Sequence, residues 1–287
     1  MDRTSLRHRT IATNGIRLHA VEAGPEDGPL LIFLHGFPEL WYGWRQQIAP
    51  FAEAGFRVLA PDQRGYNTSD KPKGVRAYGR DSLARDILGL IDEAGREKAY
   101  VVGHDWGGIA AWWLGMKHPQ RIERLAVLNC PHPVVMRRHL LKNPAQLKRS
   151  WYMFVFQLPR LPERALRKDD YKNLVKTLRR TSRRGTFTDE DVAVYREAWA
   201  QPGALTAMLN WYRAGLRVRA SPPPSPRVTV PTLLIWGTKD RALGEELAQP
   251  SIDLCDHGLL ARIEEATHWL QHEEPERVNA LIGDFFR

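Results

Sequence analysis

Hydrophobic and polar positions along this chain alternate with two different periods. Ile16–Glu22 alternates residue by residue behind the turn signal Asn14-Gly15, which predicts a strand. Leu30–Leu34, Arg57–Ala60 (closed by Pro61), Ala99–Val102 and Ile122–Leu128 are short apolar runs of strand length. Between them, Trp41–Glu53 and Ser82–Glu93 have helical spacing, the second with Leu83, Ile87, Leu90 and Ile91 on one face. After Pro131-His132-Pro133 the strand pattern stops, and residues from about 134 to 220 read as helices and loops rich in arginine and aromatic side chains. Ser221-Pro222-Pro223-Pro224-Ser225-Pro226 is a stiff connector. Strand logic resumes at Thr232–Trp236 and Leu259–Glu264, and Pro275–Phe286 is a closing helix. Strands alternating with helices predict an α/β fold, a mostly parallel central sheet flanked by helices. Residues 1–133 and 222–287 then form the core, with 134–221 an inserted helical cap.

Composition narrows the class. At 287 residues the chain suits one α/β domain with an insertion, and 43% apolar residues can fill a sizeable core. No stretch approaches the roughly 20 apolar residues of a membrane span, and Met1–Arg9 lacks the apolar run of a secretory signal. Two cysteines, Cys130 and Cys255, do not make a disulfide framework. A soluble cytoplasmic protein, monomer or homodimer, is expected. The net charge of +9 is regional: residues 137–184 carry fifteen Lys or Arg against Glu163, Asp169 and Asp170, a local +12 that leaves the remainder at −3. A patch for nucleic acid or an anionic membrane is one reading of this charge. No nucleic-acid motif accompanies it, so a solvated helical surface is the favoured expectation, with no nucleic-acid partner.

The chemistry concentrates in Gly103-His104-Asp105-Trp106-Gly107. It lies between the Ala99–Val102 strand and a helix-like segment beginning at Gly108, and small residues at 103, 107 and 108 permit a sharp strand-to-helix turn. That is the geometry of the nucleophile elbow, with Asp at the centre in place of Ser. A lone Asp here also suits a helix N-cap. As a nucleophile, a carboxylate can displace a leaving group from saturated carbon and form an alkyl ester; the leaving group is a halide or the oxygen of a strained epoxide. Three further segments sit where such a site needs partners. His35-Gly36-Phe37-Pro38 follows the Leu30–Leu34 strand. Asp240 ends the strand segment begun at Thr232, and His268 lies just past the last strand. The order nucleophile, acid, histidine results. Asn129 lacks the charge to act as the acid, and His272, the nearest competitor of His268, lies inside a helical pattern.

His-Gly-Phe-Pro-Glu (35–39), Gly-His-Asp-Trp-Gly-Gly (103–108) and His-Trp-Leu-Gln-His-Glu-Glu-Pro-Glu (268–276) together resemble signatures of the α/β-hydrolase superfamily, specifically its epoxide hydrolase branch, over about residues 14–287. The resemblance implies Asp105 as nucleophile, His268 as general base and Asp240 as its orienting acid. The backbone N–H groups of Phe37 and Trp106 are the implied oxyanion hole. It also implies two cap tyrosines that bind and protonate the epoxide oxygen. Asn210-Trp211-Tyr212-Arg213 matches the second tyrosine motif. Tyr152, ahead of Phe156-Gln157-Leu158-Pro159, matches the first; Met153 stands where relatives often carry Gln. Phe37, Pro38, Trp106, Met153 and Trp211 are the expected walls of a pocket for a small apolar epoxide, with no metal or organic cofactor required.

Haloalkane and haloacetate dehalogenases share the Asp elbow. Phe37, however, fills the Asn position of the haloalkane enzymes. Apolar residues, Tyr152 and Met153 fill the positions at which fluoroacetate dehalogenases carry an arginine pair and cap His and Trp. A non-catalytic binding protein on a hydrolase scaffold is the more distant alternative, against which the intact Asp105, Asp240 and His268 argue.

Overall fold

A computed structural model describes residues 6–287. Eight strands form one sheet: β1 (Arg7–Thr13), β2 (Ile16–Ala23), β3 (Leu30–Leu34), β4 (Arg57–Pro61), β5 (Ala99–His104), β6 (Ile122–Leu128), β7 (Thr232–Gly237) and β8 (Gly258–Ile263). Their spatial order is β1-β2-β4-β3-β5-β6-β7-β8. β2 pairs antiparallel with β1 and β4, and every other pairing is parallel. The helices are α1 (Arg45–Glu53), α2 (Arg80–Glu93), α3 (Trp106–Lys117), α4 (Pro133–Lys142), α5 (Pro144–Arg149), α6 (Trp151–Val155), α7 (Leu161–Thr181), α8 (Asp189–Ala200), α9 (Ala204–Arg217), α10 (Ala248–Ile252), α11 (Leu270–Glu273) and α12 (Pro275–Phe286).

Every residue of β3, β4 and β7 is buried, as continuous apolar runs covered on both faces must be. The period-two rule divides them between two cores. Ile32 and Leu34 pack with Leu83 and Ile87 of α2 and Trp112 of α3, while Leu31 and Phe33 pack with Ile48 and Phe51 of α1 and Ile282 of α12. β1 is the strand that the hydrophobic pattern does not predict. Its sequence is mostly polar, and within it only Ile11 and Thr13 are buried, because it is an edge strand with one partner. The Asn14-Gly15 turn fixes its register with both residues at positive φ, pairing Thr13 with Ile16.

The chain leaves the sheet after β6, runs through α4–α9 and returns at β7. Aromatic side chains pin this helical stretch to loops at the C-terminal ends of the strands. The Trp199 indole donates to the Pro38 carbonyl (2.6 Å), the Trp211 indole to the Arg64 carbonyl (3.0 Å), and the Tyr195 hydroxyl to Glu39 (2.7 Å). The functional candidates lie along this seam, where open α/β sheets place their ligands.

Candidate active site

β5 hands the chain to α3 through Asp105, whose φ of 50° and ψ of −120° place it in a sparsely populated backbone region. The backbone around Asp105 packs too closely for side chains at the neighbouring glycines. A Cβ on Gly107 would collide with the Leu34 carbonyl, and one on Gly36 would collide with Asp105 itself. The turn therefore needs glycine at both places, and its side chain is driven out at the end of the strand.

Asp105 Oδ1 accepts the Phe37 N–H at 2.8 Å. Its Oδ2 lies 3.7 Å from His268 Nε2, and His268 Nδ1 is 2.7 Å from Asp240 Oδ2. Asp240 is buried and accepts three further hydrogen bonds, from the Ala242 and Leu243 amides (2.7 and 3.0 Å) and from Asn129 Nδ2 (2.7 Å). Asn129 is itself fixed by the Gly237 N–H (2.7 Å). Burial alone would raise the Asp240 carboxyl. The charge and hydrogen bond of His268, with the donors from Asn129 and Leu243, bring it below its ordinary value. For His268, burial opposes the charged form. Asp240 outweighs it by charge and hydrogen bond, the charges of Asp105 and Glu39 add to that, and the imidazole is pushed up to about 9. At neutral pH the charged form of His268 is therefore the favoured one.

Tyr152 on α6 and Tyr212 on α9 meet over this group, with ring centroids 5.9 Å apart. The Tyr212 ring stands edge-on to Phe37 at 5.2 Å and to Trp106 at 4.9 Å. Tyr212 is buried and Tyr152 half-buried. Burial first, then the charge of Asp105, raises both phenols above their ordinary value; Asp240 contributes at Tyr152, and a hydrogen bond from Trp106 partly offsets the rise at Tyr212. Both are therefore protonated donors at neutral pH. Trp106 opens α3, so its N–H is one of the helix-terminal donors without an intrahelical acceptor. Met153 is half-buried beside Tyr152, Pro38 receives Trp199, and Trp211 is fully buried behind Trp106 (centroids 5.9 Å).

Behind the histidine lies a buried network that periodicity does not reveal. Glu39 Oε1 accepts from the Tyr195 hydroxyl and lies 2.7 Å from His272 Nε2; Oε2 accepts from Gln271 (3.1 Å) and lies 3.4 Å from His104 Nδ1. His104 Nε2 donates to the backbone carbonyl of His268 at 2.8 Å. Burial would raise the Glu39 carboxyl, but His272 and His104 hold it well below the usual range by charge and hydrogen bond. His272, set aside as a base, serves here as a partner of Glu39. A glutamate in an otherwise apolar loop was the available signal for this network. Among the described residues no cluster of three or more His, Cys, Asp or Glu has the arrangement of a metal site.

Comparison with known proteins gives the family of the chain. The family model for the alpha/beta hydrolase fold matches residues 29–275. The chain is 50% identical over 277 residues to the AB hydrolase superfamily protein YfhM of Bacillus subtilis, covering 96% of each. It is 40% identical over 283 residues to epoxide hydrolase 4 of Mus musculus, covering 96% of this chain and 78% of that one. Among solved structures, an inhibitor complex of Bacillus megaterium epoxide hydrolase superposes with a TM-score of 0.88 at 32% identity, covering 97% and 99% of the two chains.

Proposed function

The chain belongs to the epoxide hydrolase branch of the α/β-hydrolase superfamily, and we propose that it converts a small apolar epoxide to a vicinal diol through an ester on Asp105. The observation that carries this reading is the pair of phenols, from two separate helices, whose rings meet 5.9 Å apart with Tyr212 edge-on to Phe37 and Trp106 beside the elbow. Burial first, and then the charge of Asp105, keeps both protonated. A halide leaves without a proton, whereas an epoxide oxygen leaves as an alkoxide and needs one. In this reading residues 134–221 act as a cap that carries the donors, over a core that carries the nucleophile.

The proton count closes around His268. Asp105 attacks an epoxide carbon, the C–O bond breaks, and a tyrosine gives its proton to the departing oxygen. The Asp105 charge is now gone, replaced by a neutral ester, and the imidazolium returns a proton to the tyrosinate. Neutral His268, still oriented by Asp240, next takes a proton from water as the hydroxide adds to the ester carbonyl. Amide donors of Phe37 and Trp106 stabilise the oxyanion. Collapse expels the diol oxygen, which takes the proton back from His268. The new Asp105 carboxylic acid then reprotonates the imidazole and restores the resting pair. Cytoplasmic residence belongs to the same reading, supported by two buried, free thiols at Cys130 and Cys255.

The test is to trap the ester. His268→Gln removes the base and leaves the nucleophile, so intact-protein mass spectrometry after exposure to styrene oxide should find the chain heavier by one substrate. An unmodified mass at saturating epoxide would overturn the route. Release of halide from haloalkanes at rates exceeding diol formation would assign the site to dehalogenation.

A further inference from the structure

Most of the large hydrophobic side chains that this fold leaves exposed lie in one run. Leu141, Leu147, Trp151, Phe154, Leu158 and Leu161 are 42–75% exposed, Leu141 and Trp151 most of all at 75% and 64%. From Leu147 onward the spacing is four, three, four and three residues. Leu147 lies on α5 and Trp151 and Phe154 on α6, joined at Ser150 with φ −90° and ψ 10°, so these three share one outward face. The opposite side holds buried Gln146 and Ser150. An amphipathic segment has thus been laid down with its apolar face away from the core, which core packing does not explain.

The same stretch carries the basic excess of the chain. Of the fifteen Lys and Arg between 137 and 184, only Arg149, Arg179 and Arg183 pair with an acid among the described residues. The acid Glu163 is spent on Arg213, and Asp170 on Arg196. Arg138, Lys142, Lys148, Arg160 and Arg164 interleave the exposed apolar residues and are themselves exposed. Tryptophan and leucine flanked by unpaired cations make the composition of an interfacial membrane surface.

We propose that this face docks on the headgroup region of an anionic lipid bilayer. A second copy of the chain would bring a +12 surface against itself. A nucleic acid would satisfy the cations but give the aliphatic Leu141, Leu147, Leu158 and Leu161 nothing to contact, since only flat side chains stack on bases. A bilayer satisfies both, with lipid phosphates for the cations and the acyl boundary for the apolar face. No helix among the described residues is long and apolar enough to cross a membrane, so the attachment is peripheral and reversible. Tyr152 follows Trp151 directly, so α6 faces lipid on one side and the elbow on the other. If the Proposed function holds, an apolar epoxide dissolved in the bilayer reaches the site without crossing bulk water.

Vesicle flotation of the full chain tests the docking without requiring turnover, so its failure is distinct from failure of the epoxide reading. Vesicles of phosphatidylcholine with a quarter phosphatidylglycerol should float the protein at about 0.1 M salt, and pure phosphatidylcholine vesicles about tenfold less. Two variants, Trp151→Ser/Phe154→Ser and Lys142→Glu/Lys148→Glu/Arg164→Glu, should each lose about tenfold in bound fraction. Both should keep the far-UV circular dichroism and melting temperature of the parent. Absence of flotation by the folded parent would overturn the proposal. So would equal flotation by folded variants, apolar-dependent dimerisation in sedimentation velocity without vesicles, or retention on duplex DNA that the serine variant leaves intact.

Discussion

If ester formation is what readies His268 as a base, removing the Asp105 charge by mutation must lower the affinity of the imidazole for its proton. The separation is 3.7 Å from His268 Nε2 to Asp105 Oδ2, with both side chains mostly buried. Coulomb's law gives about 1 kcal/mol for this pair in water and about 4.5 kcal/mol at an effective dielectric constant of about 20. At 1.36 kcal/mol per pH unit, that is roughly 1 to 3 units. Asp105→Ala should therefore bring His268 down from about 9 to roughly 6–8. Asp240 continues to support the charged form, which keeps it from falling further. The assay is a proton–carbon correlation spectrum of histidine labelled at Cε1 and titrated from acid to base. His268→Gln identifies the resonance among the ten histidines. A midpoint within about 0.3 units of the parent would refute the coupling. The same argument fixes a sign in single-turnover kinetics. The Asp105 charge is absent from the ester, so ester hydrolysis should accelerate as pH rises through roughly 6–8. Acid should make the ester accumulate.

Other perturbations probe other parts of the design. Tyr152→Phe and Tyr212→Phe should each slow ester formation by about 10²-fold, and the double variant by about 10⁴-fold, in stopped-flow single turnover; a double variant within tenfold of the parent would deny the phenols their role. Glu39→Gln breaks a buried charge network that ties Tyr195, His104 and His272 together, and should cost about 3–5 kcal/mol in urea unfolding. A cost under about 1 kcal/mol would mean the network is not held by charge. Gly107→Ala places a methyl against the Leu34 carbonyl of β3, and should abolish soluble folded protein; a melting temperature within about 4 °C of the parent would show that the elbow tolerates a side chain.

Seven of the eight strands were legible in the sequence: β2 by its alternation behind Asn14-Gly15, the others as short apolar runs, which in β3, β4 and β7 reflect burial of every residue. β1 was not, because an edge strand with six of seven residues drawn from Arg, His, Thr and Ala carries neither signature. The triad candidates were legible for a different reason: each ends a strand or follows one, so order along the chain stands in for position in space. Glu39, His104 and Asn129 were not assigned roles, although all three lie within or beside segments that were. Asn129 was discounted for lacking charge, yet a neutral amide is what can donate to Asp240 while leaving the carboxylate ionised. Such partners are chosen across 111 residues of chain in one case and 156 in another, and no periodicity encodes them.

Glu39 also bears on how the molecule melts. One buried carboxylate takes a hydroxyl from α8, a histidine from α11 and another from β5. Peeling the helices away from the sheet would strip that carboxylate of Tyr195, and the Pro38 and Arg64 carbonyls of their indole donors, before any compensating hydration. Neither layer can come apart early at low cost. Heating should therefore produce a single endotherm in scanning calorimetry rather than two, with the helical insertion sharing the fate of the strands beneath it.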